Sequence, residues 1–489
     1  MVVGKTIGWA LPVAALLAAC GGGGGTDVDG GGGGGPGLAI PTWSQRIEPF
    51  EPKAAALKGA AQDSVASRAV AQAGATRVIA LAPLQGVTPK RAAAAGSAGA
   101  PRQIGTARAV AETADAAATA ALLQWRPTAR GTQVAALRFE SPLARGVRLG
   151  VLVQALPPGA LLRFHGAAPE DAVQLSAEQL QAVAERNASA GADATQARTY
   201  WSPDFGGAQT TLEVEIPEGA APAAVRLAVP RLSHFTSTAA EADLRTKAAV
   251  AGCLEDVSCH PDYLEQSRSV ARMIYVAEDS NTYYCTGTLL NDMAASGTPY
   301  FLSAQHCIPS QVVASTLVTD WLYRSASCNS AAENPASRRL TGGARLLYAS
   351  AGTDTAFMRL NDPLPAGVVY AGSYYGGVPI GTALASLHHA EGGLQSISLG
   401  SVLRYSNCGD ESCTATSGET GNYLALTWQQ GSTEGGSSGS GVFVTIGARR
   451  YLAGQLHGGS ASCARPDGTD YYGRFDLSYR AALKNWLNP

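Results

Sequence analysis

Charge is scarce in this chain of 489 residues: Asp, Glu, Lys and Arg make up 15% of it, and the formal net charge is −2. No basic stripe or block stands out, so the electrostatic footprint that a nucleic-acid partner requires is missing. No apolar run reaches the roughly eighteen residues that a membrane-spanning helix needs. Cysteine is absent between Cys20 and Cys253, no two cysteines stand at the CxxC spacing of a metal knuckle, and only 7 histidines are present. A metal site is therefore not expected, and the serine chemistry of the motifs near the C-terminus needs no organic cofactor. Residues 20–125 are Gly-rich, then Ala-rich, with few aromatics and little periodicity. Such a stretch cannot bury enough apolar surface to offset its ordering entropy, and it reads as a mostly disordered tether.

What is present begins at the N-terminus. Lys5 supplies a short positive region, the stretch to Ala19 is mostly apolar, and Leu17-Ala18-Ala19-Cys20 closes it. Residues 1–19 have the layout of a signal peptide, and its end resembles a bacterial lipobox. That resemblance implies an exported precursor held at the cell envelope by a lipid on Cys20, its one link to a membrane. Ordinary cleavage nearby, with Cys20 an incidental thiol, is the alternative. The other eight cysteines all lie between Cys253 and Cys463, and an even number in an exported chain reads as four disulfides.

Between residues 126 and 247 short strands are expected at Val134–Phe139, Val147–Val153, Thr211–Ile216 and Val225–Val229, several of them alternating apolar with polar residues. A helix is expected from Ser176, where Gln179 completes a capping box. These residues form a small β-rich domain that ends near Phe235, followed by a polar linker containing Arg245 and Lys247. Residues 248–489 show short apolar runs (Arg272–Val276, Thr286–Leu290, Tyr300–Ser303, Ala356–Leu360, Val442–Ile446, Leu452–Leu456) separated by Gly, Asn, Asp and Ser. That rhythm indicates an all-β barrel or sandwich. Tyr479–Leu487 instead has helical spacing, with Leu483, Trp486 and Leu487 on one side.

Three motifs in this last region carry chemistry: Ser303-Ala304-Gln305-His306-Cys307, Asp354-Thr355-Ala356-Phe357 and Gly436-Ser437-Ser438-Gly439-Ser440. A serine hydroxyl is a poor nucleophile until a neutral imidazole takes its proton, and a buried carboxylate fixes that imidazole's tautomer. Glycines beside the serine let backbone N–H groups approach an oxyanion closely. The order His, Asp, Ser is that of the chymotrypsin-like proteases. His388 and His389 lack an adjoining cysteine and read as structural. Asp362, before Pro363, reads as a turn aspartate.

Residues 248–489 resemble a lysyl endopeptidase, a bacterial branch of those proteases. The likeness rests on Tyr284-Cys285-Thr286-Gly287-Thr288-Leu289, Tyr300 to Cys307, Thr433 to Ser440, Gly454 to Gly459 and Asp470 to Arg474. It implies two six-stranded antiparallel barrels of chymotrypsin type with a C-terminal helix, behind a β-rich propeptide domain at 126–247 and the tether. It implies Ser438 as nucleophile, His306 as general base, Asp354 as orienting carboxylate, and the N–H groups of Gly436 and Ser438 as oxyanion hole. The pocket would contain Asp470, His457 and Gly458. The implied disulfides are Cys253–Cys463, Cys259–Cys328 and Cys285–Cys307, leaving Cys408 with Cys413. The family's stacking tryptophan has Tyr405 as its nearest counterpart.

Protein and peptide substrates would be cut after lysine. The position where trypsin-like proteases carry their pocket aspartate is Ser432, so Asp470 supplies the charge. A glutamyl or a broader trypsin-like preference is the alternative: glutamyl-specific relatives carry a pocket histidine in His-Trp-Gly-Gly, but here Leu456-His457-Gly458-Gly459 sets it one residue later, on the strand's other face. Lys247, with Arg245 as the alternative, marks the removal of the propeptide, itself a partner of the protease. The released enzyme would be periplasmic or extracellular. A cell-surface binding lipoprotein with an inactive protease-like domain is the reading of a different class.

Overall fold

A computed structural model describes residues 44–52, 67–68, 76–84, 100–169, 172–237, 253–409, 412–418 and 420–489, all inside one compact unit, Pro41–Pro489. The signal segment, Cys20, Arg245 and Lys247 lie outside the described residues.

The chain is all-β in class. The N-terminal domain carries the expected strands: Gln133–Glu140, Val147–Ala155 and Gln209–Ile216 are each two residues longer than the run that announced them, and the strand expected at Val225–Val229 is Arg226–Phe235, starting one residue later and twice as long. Helix Ala177–Ser189 starts at the expected capping box, with Gln179 N–H donating to Ser176 Oγ and Ser176 N–H to Gln179 Oε1. Strand Gln209–Ile216 is buried on both faces: Glu213 and Glu215 point to the polar side, where Arg163 lies within 2.6 and 2.7 Å of them and is itself fully buried. Pairing and hydrogen bonding offset the large desolvation cost of such charges.

The segment read as tether also contributes structure. Arg46–Ile47 pairs with Tyr374 and Ser373, Thr76–Ala80 runs parallel to strand Gln133–Glu140, and Arg102–Ala109 is an eight-residue strand followed by helix Ala116–Leu122. Arg102–Ala109 buries few large side chains of its own. Its order comes from ladders on both edges, to Arg226–Phe235 on one side and to Thr282–Leu290 on the other. Through it the N-terminal domain and the cysteine-bearing region share one continuous sheet.

Two barrels follow. In the second, Ala383–His388, Ser396–Cys408, Tyr423–Gln430, Asp470–Arg474, Arg449–Gly459 and Gly441–Ile446 pair in that order and close back on Ala383–His388. The first is a half-barrel: Val318–Trp321, Val270–Val276, Thr282–Leu290, Tyr300–Ala304, Thr355–Leu360 and Ala344–Ser350 pair in sequence without closing among the described residues. The open edge has a visible cause. The Gln311 side chain donates to Ala344 O (3.0 Å) and accepts from Leu346 N–H (2.9 Å), occupying groups that a closing strand would use.

Each barrel has its own core, one around Met273, Phe301 and Trp321 and one around Tyr405, Leu426 and Tyr472. A third cluster, with Leu302, Phe357, Leu387 and Phe443, fills the seam and receives Leu483 and Leu487 from the expected C-terminal helix. Three disulfides are those implied by the resemblance, Cys253–Cys463, Cys259–Cys328 and Cys285–Cys307, and the fourth, Cys408–Cys413, joins the two cysteines that it left over and departs from the family pattern.

Candidate active site

The site grows out of one strand register. Ala304 pairs with Thr355 at the end of their ladder, so the residues just beyond, His306 and Asp354, meet. Gln305 N–H donates to Asp354 O (3.1 Å), His306 N–H donates to Asp354 Oδ1 (2.9 Å), and His306 Nδ1 lies 2.6 Å from Asp354 Oδ2. Asp354 is 3% exposed and sits at φ +48°. A left-handed aspartate is uncommon and stores strain that surrounding contacts must hold. Burial alone would raise its carboxyl; the charge and hydrogen bonding of His306, then of His457, outweigh that and bring it to about 2. The Cys285–Cys307 bridge pins the histidine loop to strand Thr282–Leu290.

The second barrel delivers Ser438. Its carbonyl accepts from Thr286 N–H (2.8 Å), and Thr286 Oγ1 donates to the Gly436 carbonyl (2.9 Å), so the serine loop hangs from the strand that precedes the histidine motif. Gly439, at φ +79°, lies against Ser303 and Ala304, where a Cβ would clash with Ser303 Oγ, Thr286 O and Ala304 N. Only glycine allows that approach. Ser438 is thereby set beside the strand end that leads to His306. His306 Nε2, the nitrogen not used by Asp354, is buried and makes no hydrogen bond among the described residues.

Gly436, at φ +94°, donates its N–H to the carbonyl of Ala100, 3.1 Å away. A group from the N-terminal domain thus occupies the place at which the sequence put an oxyanion. Beyond it, Arg102 pairs with Tyr284, and its guanidinium lies 2.9 Å from Glu391.

Asp470 is fully buried at the end of strand Asp470–Arg474. Its Oδ2 accepts from Thr433 Oγ1 (2.6 Å) and Trp428 Nε1 (2.7 Å), while its Oδ1 is buried with no hydrogen-bond partner among the described residues. Burial, with a smaller push from the charge of Glu434, raises the carboxyl to about 6, against the opposing pull of Thr433, Trp428 and the Ala461 N–H. Gly459 leaves Oδ1 its space, since a Cβ there would overlap it. Gly458, at φ +152°, follows a register shift between Leu456 and Gly458.

That bulge redirects His457. Grouped with Asp470 in the sequence, it points to Asp354, its Nδ1 2.7 Å from Oδ2, so one carboxylate oxygen holds two imidazoles. Tyr405, the counterpart assigned to the stacking tryptophan, is instead core: its hydroxyl donates to Val378 O and Arg474 covers its ring. The ring against His457 is Tyr423, at 5.2 Å between centroids. Trp428, Thr433, Tyr423 and Glu391 are the residues that sequence reasoning did not single out. Thr433 lay within a quoted motif; the others had no local signal.

The competing candidates are structural. His388 bridges Ser437 Oγ and Ser398 Oγ, His389 contacts Gly393 O, and burial drives both far down, to about 3. Asp362 accepts from Thr341 and Gly342 N–H. Three groupings of metal-ligand side chains occur among the described residues. In two of them the cysteines are spent in disulfides. In the third, His306–Asp354–His457, both close contacts are hydrogen bonds to Asp354 Oδ2.

Comparison with known proteins supplies the last observation. A family model for the lysyl endopeptidase C-terminal domain matches residues 248–473, and one for the lysyl endopeptidase N-terminal domain matches residues 77–236. A lysyl endopeptidase of Pseudomonas aeruginosa is 31% identical over 376 residues, covering 73% of this chain and 76% of that protein. Among solved structures, a thermostable serine protease AL20 from an extremophilic microorganism matches 44% of this chain and 94% of its own (TM-score 0.31, 13% identity). The active form of the Rv3671c protease from M. tuberculosis matches 49% and 90% (TM-score 0.31, 14% identity).

Proposed function

The chain belongs to the lysyl endopeptidase family and is a serine endopeptidase, and on that premise we propose that it cuts peptide bonds after lysine with Ser438, His306 and Asp354. Ser438 Oγ attacks the scissile carbonyl as His306 Nε2 takes its proton. Asp354 keeps the Nδ1–H of His306 directed away from the serine and stabilises the imidazolium. The N–H groups of Gly436 and Ser438 receive the oxyanion. His306 then returns the proton to the departing amine, and a water molecule activated the same way releases the acyl group.

The observation that carries the lysine reading is Asp470: a buried carboxylate with two donors on Oδ2 and none on Oδ1. Such a group is costly alone and suits a substrate ammonium. The chain's own lysines support it. There are 6 against 30 arginines, at 5, 53, 58, 90, 247 and 484. From 91 to 246 and from 248 to 483 there is none, and Lys484 lies exposed on the C-terminal helix. A lysine-directed enzyme would leave itself nearly intact while cutting after Lys247.

In this reading the N-terminal domain holds the cleft until that cut, and Cys20 carries the lipid of an exported precursor. The test is digestion of a defined denatured protein by the activated enzyme, with Ser438→Ala as control. Cuts after lysine that vanish in the control are expected. Cuts after glutamate would overturn the role of Asp470, and no cuts by either form would favour the inactive binding lipoprotein.

A further inference from the structure

We infer that Ala100-Pro101-Arg102 lies in the cleft in the direction of a substrate, and that Glu391 therefore selects a basic residue two positions after the cut. This rests on the proposed catalytic reading. The Ala100 carbonyl accepts from Gly436 N–H, which makes Ala100 the residue that donates the scissile carbonyl. Pro101 then supplies the leaving nitrogen, and Arg102 is the second residue beyond the bond.

Independent contacts fix the same register. Arg102 stands opposite Tyr284 in an antiparallel ladder, with Gln103 opposite Tyr283. The chain leaving the oxyanion site thus adds a strand to the edge of Thr282–Leu290, a mode in which backbone pairing gives affinity and flanking side chains give selectivity. The Arg102 guanidinium reaches Glu391 Oε2 at 2.9 Å, and both side chains are 23% exposed.

Glu391 is held for this contact. It has φ +54°, unusual outside glycine, a kind of strain that collects at functional sites. Its N–H donates to Gly435 O (2.6 Å), and Arg272 donates to Gly392 O (2.5 Å). The loop is thereby fastened to the peptide next to Gly436, so the carboxylate keeps a set distance from the oxyanion site. Proline at the leaving position explains why this strand can occupy the cleft without being a good substrate: its nitrogen carries no N–H and its ring restricts the geometry there.

The test uses enzyme activated from the full chain and three substrates: a lysyl anilide with nothing peptidic after the cut, and two peptides that differ only in arginine or glutamate at the second position after lysine. Attraction for arginine and repulsion of glutamate each contribute about threefold, giving about tenfold preference in kcat/KM for the arginine peptide. Glu391→Arg reverses the order, and Glu391→Gln, the milder change, reduces the ratio to about one. Anilide turnover with both peptides cut equally by the wild type, or an unchanged ratio in both variants, overturns the assignment of Glu391. No turnover of any of the three overturns the catalytic reading and this inference with it.

Discussion

Replacing Asp470 with asparagine separates function from stability in a way the buried carboxylate makes calculable. Its pKa is raised from 3.8 to about 6 by burial. A carboxyl with a raised folded pKa favours the folded state while protonated, below its unfolded pKa, and that benefit is lost as pH rises through about 6. That raise corresponds to about 3 kcal/mol at full ionisation. Asparagine keeps an oxygen for Trp428 and Thr433 but places an amide where Oδ1 stood, at a cost of about 1–3 kcal/mol for an unpaired donor. That cost is the same at every pH. The change in stability between pH 4 and pH 8, wild type against variant, therefore isolates the carboxylate: because the unfolded carboxyl is already partly ionised at pH 4, the variant gains about 2.5 kcal/mol, or roughly 3 °C in Tm for a cooperative unit of about 400 residues.

Melting would be followed on uncut chains, comparing Ser438→Ala with Ser438→Ala/Asp470→Asn. Function would be read on the single Asp470→Asn chain after processing by a trace of wild type. With no anion facing the ammonium, kcat/KM for a lysyl anilide falls by about a hundredfold to a few thousandfold. An identical stability difference at pH 4 and pH 8 would refute the burial argument. Lysine cutting that stayed within tenfold of wild type would refute the role of Asp470.

His457→Ala leaves Asp354 Oδ2 with the His306 contact alone and lets its carboxyl rise from about 2. Losing one charge-assisted hydrogen bond lowers kcat about tenfold with KM for the anilide unchanged; a rise in KM with constant kcat would return His457 to the substrate pocket. Gly439→Ala forces a Cβ against Ser303, Thr286 and Ala304 at φ +79°. It should destabilise the chain by about 2–4 kcal/mol and abolish labelling of Ser438 by a fluorophosphonate, and a variant of unchanged melting temperature that still labels would contradict the packing.

What the sequence announced was local. His306, Asp354 and Ser438 each sit in a contiguous motif, and the strands beside them are short, almost continuously buried apolar runs bounded by turn residues. The C-terminal helix follows from its helical spacing, whereas the apolar runs left barrel and sandwich open and the resemblance decided for barrels. What it concealed depends on contacts between distant segments. Ala100 meets Gly436 across 336 positions, and nothing in an alanine beside a proline marks it for a cleft. Arg102–Ala109 has too little apolar periodicity to declare itself, because ladders on both edges hold it. His457 was grouped with the pocket by the resemblance alone; alternation already turned it to the other face of the strand, and the contact it makes there, beside the bulge at Leu456–Gly458, is with a residue 103 positions away. Tyr405 and Tyr423 are adjacent in neighbouring strands near one loop, and only packing decides which ring meets His457.

The loop that carries Ser438 also bears on the proposed activation by a cut after Lys247. Trypsin-like zymogens become active when a new N-terminus pairs with an aspartate just before the nucleophile; here that residue is Ser437. Its Oγ lies 3.0 Å from His388 Nδ1 and accepts from Glu434 N–H at 3.2 Å, while His388 Nε2 reaches Ser398 Oγ at 3.0 Å. Burial holds His388 near a pKa of 3, so it is uncharged at any working pH. These neutral bonds are complete while the N-terminal domain is still attached, so the cut need not build an ion pair to order the loop. In the proposed activation, what the cut after Lys247 changes is the occupancy of the cleft by Ala100–Arg102. Replacing Lys247 with another protease's recognition sequence would release chains that begin at Ala248 or two residues before it. If the neutral anchor suffices, both have kcat/KM within about twofold of each other, because an N-terminal ammonium with no buried partner contributes little. A loss of more than tenfold in the extended chain, with its melting temperature unchanged, would show that the new N-terminus does order the loop and that the Ser437–His388 contact is not enough.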